Sequence, residues 1–246
     1  MAMTNVERES VPRKTTILFF IIDTSGSMAG TRIGAVNSAI EQTLEKLREM
    51  NADSADAEIE VALLEFSSGA RWLTPNGPMK VENYYWSDLD ADGLTDMGEA
   101  FRMLEEKLHK SSGFMQRASG SYAPVLFLMS DGEPTDDYKS GLSVLQQNNW
   151  YKYAIKVAVA IGDDANTDVL KEFTGNIEAV VTVHTPEALR KMIRFVSITS
   201  SQIGSKSQPM QDGQIESKQD SMIDQIKDLQ QTDPDLSQTS TSEDDW

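Results

Sequence analysis

Oxygen-bearing side chains stand directly after two strongly apolar segments of this chain. The first apolar run is followed by Asp23, Ser25 and Ser27, and the second by Asp131. Three short oxygen side chains at alternate positions can converge on one hard cation such as Mg²⁺, which takes oxygen ligands and keeps several waters. The residue types and their spacing therefore predict a divalent metal site.

Two predicted strands, at residues 17–22 and 125–129, must bring these oxygens together. Apolar runs of this length, bounded by polar turns that contain glycine, are typical of strands buried on both faces of a sheet. In an open α/β sheet, ligands bind outside the carboxyl ends of the strands. We therefore expect Asp23 and Asp131 at the same edge of one sheet, with Thr95 in a loop between the two strands.

Strand-like and helix-like segments alternate along the chain. This alternation predicts the α/β class, with a doubly wound, mostly parallel six-stranded sheet and helices on both faces. The six strands are predicted at residues 17–22, 58–66, 79–81, 125–129, 153–161 and 179–183. The helices are predicted at residues 32–50, 96–109, 139–148, 166–173 and 186–198.

Three motifs, in this order, resemble the metal-ion-dependent adhesion site of the von Willebrand factor A (integrin I-like) domain family. D-T-S-G-S at residues 23–27 matches the D-x-S-x-S motif. G-L-T-D-M-G-E-A-F at residues 93–101 resembles G-x-T-x-x-x-x-A-h, and S-D-G-E-P-T at residues 130–135 resembles (T/S)-D-G-x-P. The resemblance covers roughly residues 14–200 and implies a Rossmann-like fold.

The resemblance also implies a role for each of five site residues. Ser25 and Ser27 would bind the metal directly, Thr95 directly or through water, and Asp23 and Asp131 through coordinated waters. Mg²⁺ is the implied ion, with Mn²⁺ or Ca²⁺ as alternatives. Because hydroxyl ligands are neutral, the ion keeps most of its charge and attracts a Glu or Asp of a partner protein. This predicts a protein-docking site and not an enzyme, and a metal-assisted hydrolase is the alternative interpretation.

The expected cellular setting follows from the same resemblance and from composition. The chain resembles the bacterial TerY-like branch, which is associated with tellurium resistance and whose members often accompany a Ser/Thr kinase and a PP2C-type phosphatase. The sequence contains no cysteine, which fits the cytoplasmic location that we expect. Its formal net charge of −17 argues against nucleic acid and membranes as partners, because phosphate contacts need clustered Lys and Arg.

Residues 88–99 match a second metal-binding pattern, the EF-hand calcium loop, at every acidic position and at Gly93. Thr95 stands where that loop normally carries a hydrophobic residue, and no helix is predicted before it. A calcium sensor is therefore a further alternative interpretation.

The two ends of the chain differ in composition from its middle. Residues 1–13 are expected to form a flexible N-terminus before a domain at residues 14–200. Residues 201–246 are acidic and rich in Ser, Gln and Thr, and we predict that they are largely disordered because they bury too little apolar surface. Apolar residues at 221–229 nevertheless fall on one helical face, so a helix docked on its own domain or on a partner is the alternative.

Overall fold

The computed structural model describes residues 14–54, 57–116, 122–205, 210–211, 214–215 and 217–236. Its main sheet contains the strands β1 (Lys14–Asp23), β2 (Ala57–Ser67), β3 (Gly69–Trp72), β4 (Met79–Lys80), β5 (Val125–Ser130), β6 (Ile155–Ile161) and β7 (Val180–Val183). The short strands β8 (Met210–Gln211) and β9 (Gln214–Ile215) form a separate antiparallel pair. The helices are α1 (Thr31–Asp53), α2 (Met97–Lys107), α3 (Tyr138–Leu145), α4 (Asn149–Tyr153), α5 (Thr167–Thr174), α6 (Pro186–Ser205) and α7 (Lys218–Thr232).

The sheet has the strand order β3-β2-β1-β5-β6-β7, and β4 pairs with β2 outside this path. Neighbouring strands from β2 through β7 in this order run parallel, while β3 and β4 are antiparallel to β2. The predicted α/β class and doubly wound architecture are confirmed. The predicted count of six strands is corrected to seven, because β3 follows β2 after the single residue Ser68. Its four residues are too few to show an apolar run or an alternating pattern.

Alternate residues of β1 enter two different hydrophobic layers. Phe20 and Ile22 pack with residues of α1 and α6 on one face of the sheet, while Phe19 and Ile21 pack with residues of α2, α3 and α5 on the other. Successive side chains of a strand point to opposite faces, so a central strand between two helical layers must be apolar at every position. This double burial explains the apolar run at residues 17–22 of β1.

The helix α7 packs on the same layer as α1 and α6. Met222 and Ile226 are fully buried against this layer, and Leu236, beyond the end of the helix, is also buried. The predicted disorder of residues 201–246 is therefore wrong for the part from 217 to 236. The predictions for residues 1–13 and for residues 237–246 lie outside the described residues.

Polar contacts hold α7 in place at the edge of the sheet. Gln219 accepts a hydrogen bond from the Lys156 backbone N–H at 2.7 Å, and its amide group donates to the Lys156 carbonyl at 2.9 Å. Pairing between β6 and β7 begins only at Ala158, so Gln219 satisfies backbone groups on the side of β6 that no described strand pairs with at this point. Lys191 of α6 forms ion pairs with Asp233 at 3.0 Å and Asp235 at 2.6 Å. None of the described helices is long and apolar enough to cross a membrane.

Replacing Ile226 by Ala tests the docking of α7. The side chain is fully buried in the layer shared with α6, so its truncation should lower the free energy of unfolding by about 2–4 kcal/mol. Urea denaturation provides the measurement, with Asp224→Ala on the exposed face of the same helix as the control. Equal stability of the two variants would show that α7 does not dock in solution.

Candidate metal centre

Asp23 and Asp131 lie at the carboxyl ends of adjacent strands. Asp23 is the last residue of β1, and Asp131 directly follows β5. These strands are parallel, with Ile22 opposite Met129, so both carboxylates stand at the same edge of the sheet. This is the position that the sequence predicts for them. Their role in metal binding stays a prediction.

The Asp23 carboxylate is fully buried and held from two sides. It accepts the Ser25 backbone N–H at 2.8 Å through Oδ1 and the Ser130 hydroxyl at 2.5 Å through Oδ2. Burial raises the pKa of Asp23 to about 6; the hydrogen bonds from Ser130 and Ser25 oppose this rise, and the charge of Asp131 adds to it. The carboxylate is therefore fixed in orientation in a place that disfavours its charge.

Ser25 and Ser27 present two hydroxyls on one side of a tight turn. Their Oγ atoms are hydrogen-bonded to each other at 3.1 Å; Ser25 is buried and Ser27 is exposed. Adjacent ligands of an octahedral Mg²⁺ at about 2.1 Å are separated by about 3.0 Å. The two hydroxyl oxygens therefore have the separation of neighbouring metal ligands. Because Ser27 is exposed, an ion bound between these hydroxyls would be open to solvent.

Backbone contacts connect the loop of Thr95 to the loops on either side. The Gly26 N–H donates to the Gly93 carbonyl at 3.1 Å. On the other side, the Thr95 N–H donates to the Thr135 hydroxyl, and the Thr135 N–H donates to the Thr95 carbonyl, both at 2.9 Å. Thr95 is itself buried. These contacts place its loop between the serine loop and the loop that follows β5.

Two carboxylates near Thr95 fix the beginning of α2, which starts two residues after Thr95. Asp136 accepts the backbone N–H groups of Gly98 at 2.9 Å and Glu99 at 3.0 Å, which satisfies two donors that the first turn of a helix leaves unpaired. Asp96 accepts the Gly69 N–H at 2.7 Å. The position of Thr95 is thus determined by groups from three other segments.

Arg32 and Ser130 belong to this centre although sequence reasoning did not select them. Arg32, at the start of α1, lies 3.6 Å from the Asp131 carboxylate and 2.6 Å from that of Asp164. It also donates to the Ser27 carbonyl at 3.3 Å. Ser130 was visible as the first letter of the S-D-G motif, whereas a basic residue at the start of a helix gives no comparable signal.

The EF-hand interpretation of residues 88–99 is wrong. Asp88, Asp90 and Asp92 are exposed, and the residues before α2 form an irregular segment with no helix entering it. Within the described ranges, no group of three or more His, Cys, Asp or Glu side chains could hold a metal ion. The centre at Asp23 and Asp131 differs in composition, because it combines two carboxylates with hydroxyls.

A doubly wound sheet with hydroxyls and carboxylates at its carboxyl edge defines a Rossmann-like α/β domain. The von Willebrand factor type A domain family matches residues 18–195 of this chain. The chain therefore belongs to this family. No curated protein sequence matches it.

The fold is shared by solved structures, among them the following three. A von Willebrand factor type A protein from Catenulispora acidiphila has a TM-score of 0.56 and 19% identity, covering 76% of this chain and 43% of its own. The vWF domain of the type V pili tip protein Mfa5 from Porphyromonas gingivalis has a TM-score of 0.58 and 12% identity, covering 82% of this chain and 100% of its own. Proximal thread matrix protein 1 from the mussel byssus, with a zinc-occupied MIDAS motif, has a TM-score of 0.56 and 13% identity over 75% of this chain and 48% of its own.

These likenesses establish the fold. The chain spans less than half the length of the Catenulispora and mussel chains that it resembles. The activities and partners of those longer proteins therefore enter only as support for a proposal.

Proposed function

We propose that this protein is a metal-dependent protein-docking domain that binds an acidic side chain of a partner through a divalent cation. The ion is held at the centre formed by Asp23, Ser25, Ser27, Thr95 and Asp131. The observation that carries this proposal is the 3.1 Å separation of the two serine hydroxyls beside two buried carboxylates. It is the separation expected for adjacent ligands of a small octahedral cation.

The charge distribution of the centre favours both the cation and an incoming carboxylate. Asp23 and Asp131 place negative charge in a buried environment, and a divalent cation would compensate it. Their contact with the ion runs through water in the proposal, so the direct ligands are neutral hydroxyls. The ion then attracts an anionic ligand. Mg²⁺ is the proposed ion, with Mn²⁺ or Ca²⁺ as alternatives, and the zinc in the mussel protein supports a divalent ion at this type of motif.

The surface around the centre also suits a protein partner. Ser27 is exposed, and Leu94, directly before Thr95, is 57% exposed. An exposed large apolar side chain next to a metal site can add contact area to a docked partner. Enzymatic turnover is less well supported, because neither site carboxylate is free: Asp23 accepts two hydrogen bonds and Asp131 is paired with Arg32.

The proposed function also has a cellular setting. We place the protein in a TerY-like, tellurium-resistance-related system in the bacterial cytoplasm, with a Ser/Thr kinase and a PP2C-type phosphatase as candidate partners. This assignment is supported by the resemblance of the cysteine-free chain to that branch. The pilus tip protein among its structural neighbours supports a role in protein–protein interaction.

Metal binding by the purified protein tests the proposal. Ser25→Ala/Ser27→Ala removes two direct ligands and should abolish Mn²⁺ binding, measured from the EPR signal of the free ion. The matched control is Ser140→Ala/Ser143→Ala, which removes two exposed hydroxyls from α3 and should bind as the wild type does. Unchanged Mn²⁺ binding by the site variant would contradict the proposed centre.

Partner capture provides the second test. Capture of a protein partner by the immobilised wild type should require Mg²⁺. It should disappear when EDTA is added and in the Ser25→Ala/Ser27→Ala variant. Capture that persists equally in EDTA would contradict a metal-bridged contact. Metal-dependent hydrolytic turnover, absent in Asp131→Ala, would favour the hydrolase alternative over docking.

A further inference from the structure

We propose that Arg32 is an internal counter-cation of the metal centre, which competes with the divalent ion for the charge of Asp131 and thereby lowers the metal affinity. The inference rests on the proposed function, because it assumes that the cation binds at Ser25 and Ser27. It assigns a role to a residue that lies outside the motifs of the family resemblance.

The guanidinium of Arg32 connects three loops at the carboxyl edge of the sheet. Nη1 lies 3.6 Å from Asp131 Oδ2 and donates to the Ser27 carbonyl at 3.3 Å. Nη2 lies 2.6 Å from Asp164 Oδ1, in the loop after β6. The planar group can make such contacts in several directions at once, because it carries five N–H donors in a rigid fork. Arg32 therefore touches both a proposed ligand residue and a proposed water-binding carboxylate.

Burial makes the charge of Arg32 important to the site. The Asp131 side chain is 3% exposed and the Asp23 side chain is fully buried, whereas that of Arg32 is 16% exposed. Two neighbouring buried carboxylates repel each other and lose their hydration, so a nearby cation stabilises them. Among the ion pairs of the described residues, Arg32 is the cation that contacts Asp131, the neighbour of Asp23. It supplies one positive charge at a place where a metal would supply two.

The two cations cannot both interact with Asp131 at full strength. Ser27 offers its hydroxyl to the proposed metal and its carbonyl to Arg32, so the two positive charges lie close together. Like charges at short range in a partly buried site repel appreciably. Asp164 offers Arg32 an alternative, because its side chain is 68% exposed and its contact with Nη2 is shorter than that with Asp131. Metal uptake therefore weakens the ion pair between Arg32 and Asp131 and strengthens the one between Arg32 and Asp164.

Three single variants test this role through Mn²⁺ affinity, measured by EPR on the full chain. Arg32→Met removes the competing charge and should tighten Mn²⁺ binding by about tenfold or more. Arg32→Lys keeps the charge and should stay within about threefold of the wild type. Asp164→Asn leaves Arg32 less compensated and should weaken Mn²⁺ binding. If Arg32 only positioned the loops, Arg32→Met and Arg32→Lys would both bind more weakly, and that result would overturn the inference.

Thermal unfolding gives a second readout that does not depend on partner binding. In EDTA, Arg32→Met should have a lower Tm than the wild type, because Asp131 loses its counter-ion. Saturating Mn²⁺ should raise the Tm of Arg32→Met by more than it raises that of the wild type; an equal or smaller gain would overturn the inference. If the wild type binds no Mn²⁺, the proposed function and this inference both fail. If the wild type binds Mn²⁺ and Arg32→Met binds it no more tightly, only the inference fails.

Discussion

Replacing Asp23 by Asn is expected to stabilise the metal-free protein at pH 7.5 and to abolish its stabilisation by Mg²⁺. Burial raises the pKa of Asp23 from 3.8 to about 6, against the hydrogen bonds from Ser130 and Ser25. Ionisation of this side chain therefore costs the folded state about 3 kcal/mol at neutral pH. Asn has nearly the same shape, carries no charge to compensate and can still accept the Ser25 N–H through Oδ1. Its Nδ2 can donate to Ser130 Oγ, in place of the hydrogen bond that Asp23 Oδ2 accepts from Ser130.

The same shift determines the pH dependence of this effect. The folded protein binds the Asp23 proton more tightly than the unfolded chain, so the folded state is favoured at low pH. In EDTA, the contribution of Asp23 to the free energy of unfolding should fall as pH rises from about 4 to about 6, and then level off. Asp23→Asn removes this fall. The advantage of the variant over the wild type should therefore be small at pH 4.5 and largest at pH 7.5.

Urea denaturation in EDTA at the two pH values measures this difference. The control is Asp228→Asn, which changes the net charge equally at an exposed position of α7. A difference between Asp23→Asn and the wild type that does not change with pH would contradict the proposed burial cost. A rise in Tm on adding Mg²⁺ to Asp23→Asn would contradict the role of Asp23 in the metal centre.

Replacing Gly141 by Ala is expected to lower the free energy of unfolding on the order of 2–3 kcal/mol. A Cβ atom on Gly141 would lie 2.3 Å from the carbonyl oxygen of Gly98 and 3.0 Å from its Cα. These are backbone atoms of α2, so no side-chain rotation can relieve the overlap, and α2 and α3 must move apart. Because α2 begins two residues after Thr95, Mn²⁺ binding should also weaken.

Gly34 provides a matched control for this prediction. It is also a helical glycine, in α1, but a Cβ atom there would meet nothing within 4 Å. Gly34→Ala should therefore stabilise the protein by about 0.5–1 kcal/mol, since alanine restricts the unfolded chain and favours the helix. Urea midpoints that shift in the same direction for both variants would show that the contact between α2 and α3 is not as close as described.

The sequence predicted those parts of the molecule whose signal lies in their own residues. β1 and β5 are buried on both faces, so each contains an apolar run that stops one residue before the strand ends. The positions of Asp23 and Asp131 at one edge followed from these two ends. Their role as metal ligands, together with that of Ser25, Ser27 and Thr95, stays a proposal.

The features that the sequence did not reveal depend on contacts between distant segments. Arg32 joins the centre through Asp131, which is distant in the sequence, and nothing near Arg32 in the sequence indicates this partner. The docking of α7 depends on Gln219 reaching a backbone 63 residues earlier. Composition alone favoured disorder here, because the segment is rich in acidic residues. Composition does not reveal the hydrophobic layer of α1 and α6 against which the apolar face of α7 packs.

The contact between Gln219 and the Lys156 backbone has a consequence for the solubility of the protein. Lys156 lies before the first residue of β6 that pairs with β7. Its N–H and carbonyl point away from β5, and both are hydrogen-bonded to Gln219. Without α7, β6 would expose these groups beside the outermost strand of the described sheet. Exposed strand edges recruit strands from other molecules and promote aggregation. The last described helix therefore also covers two backbone groups of β6 that could otherwise pair with a strand of another copy of the protein.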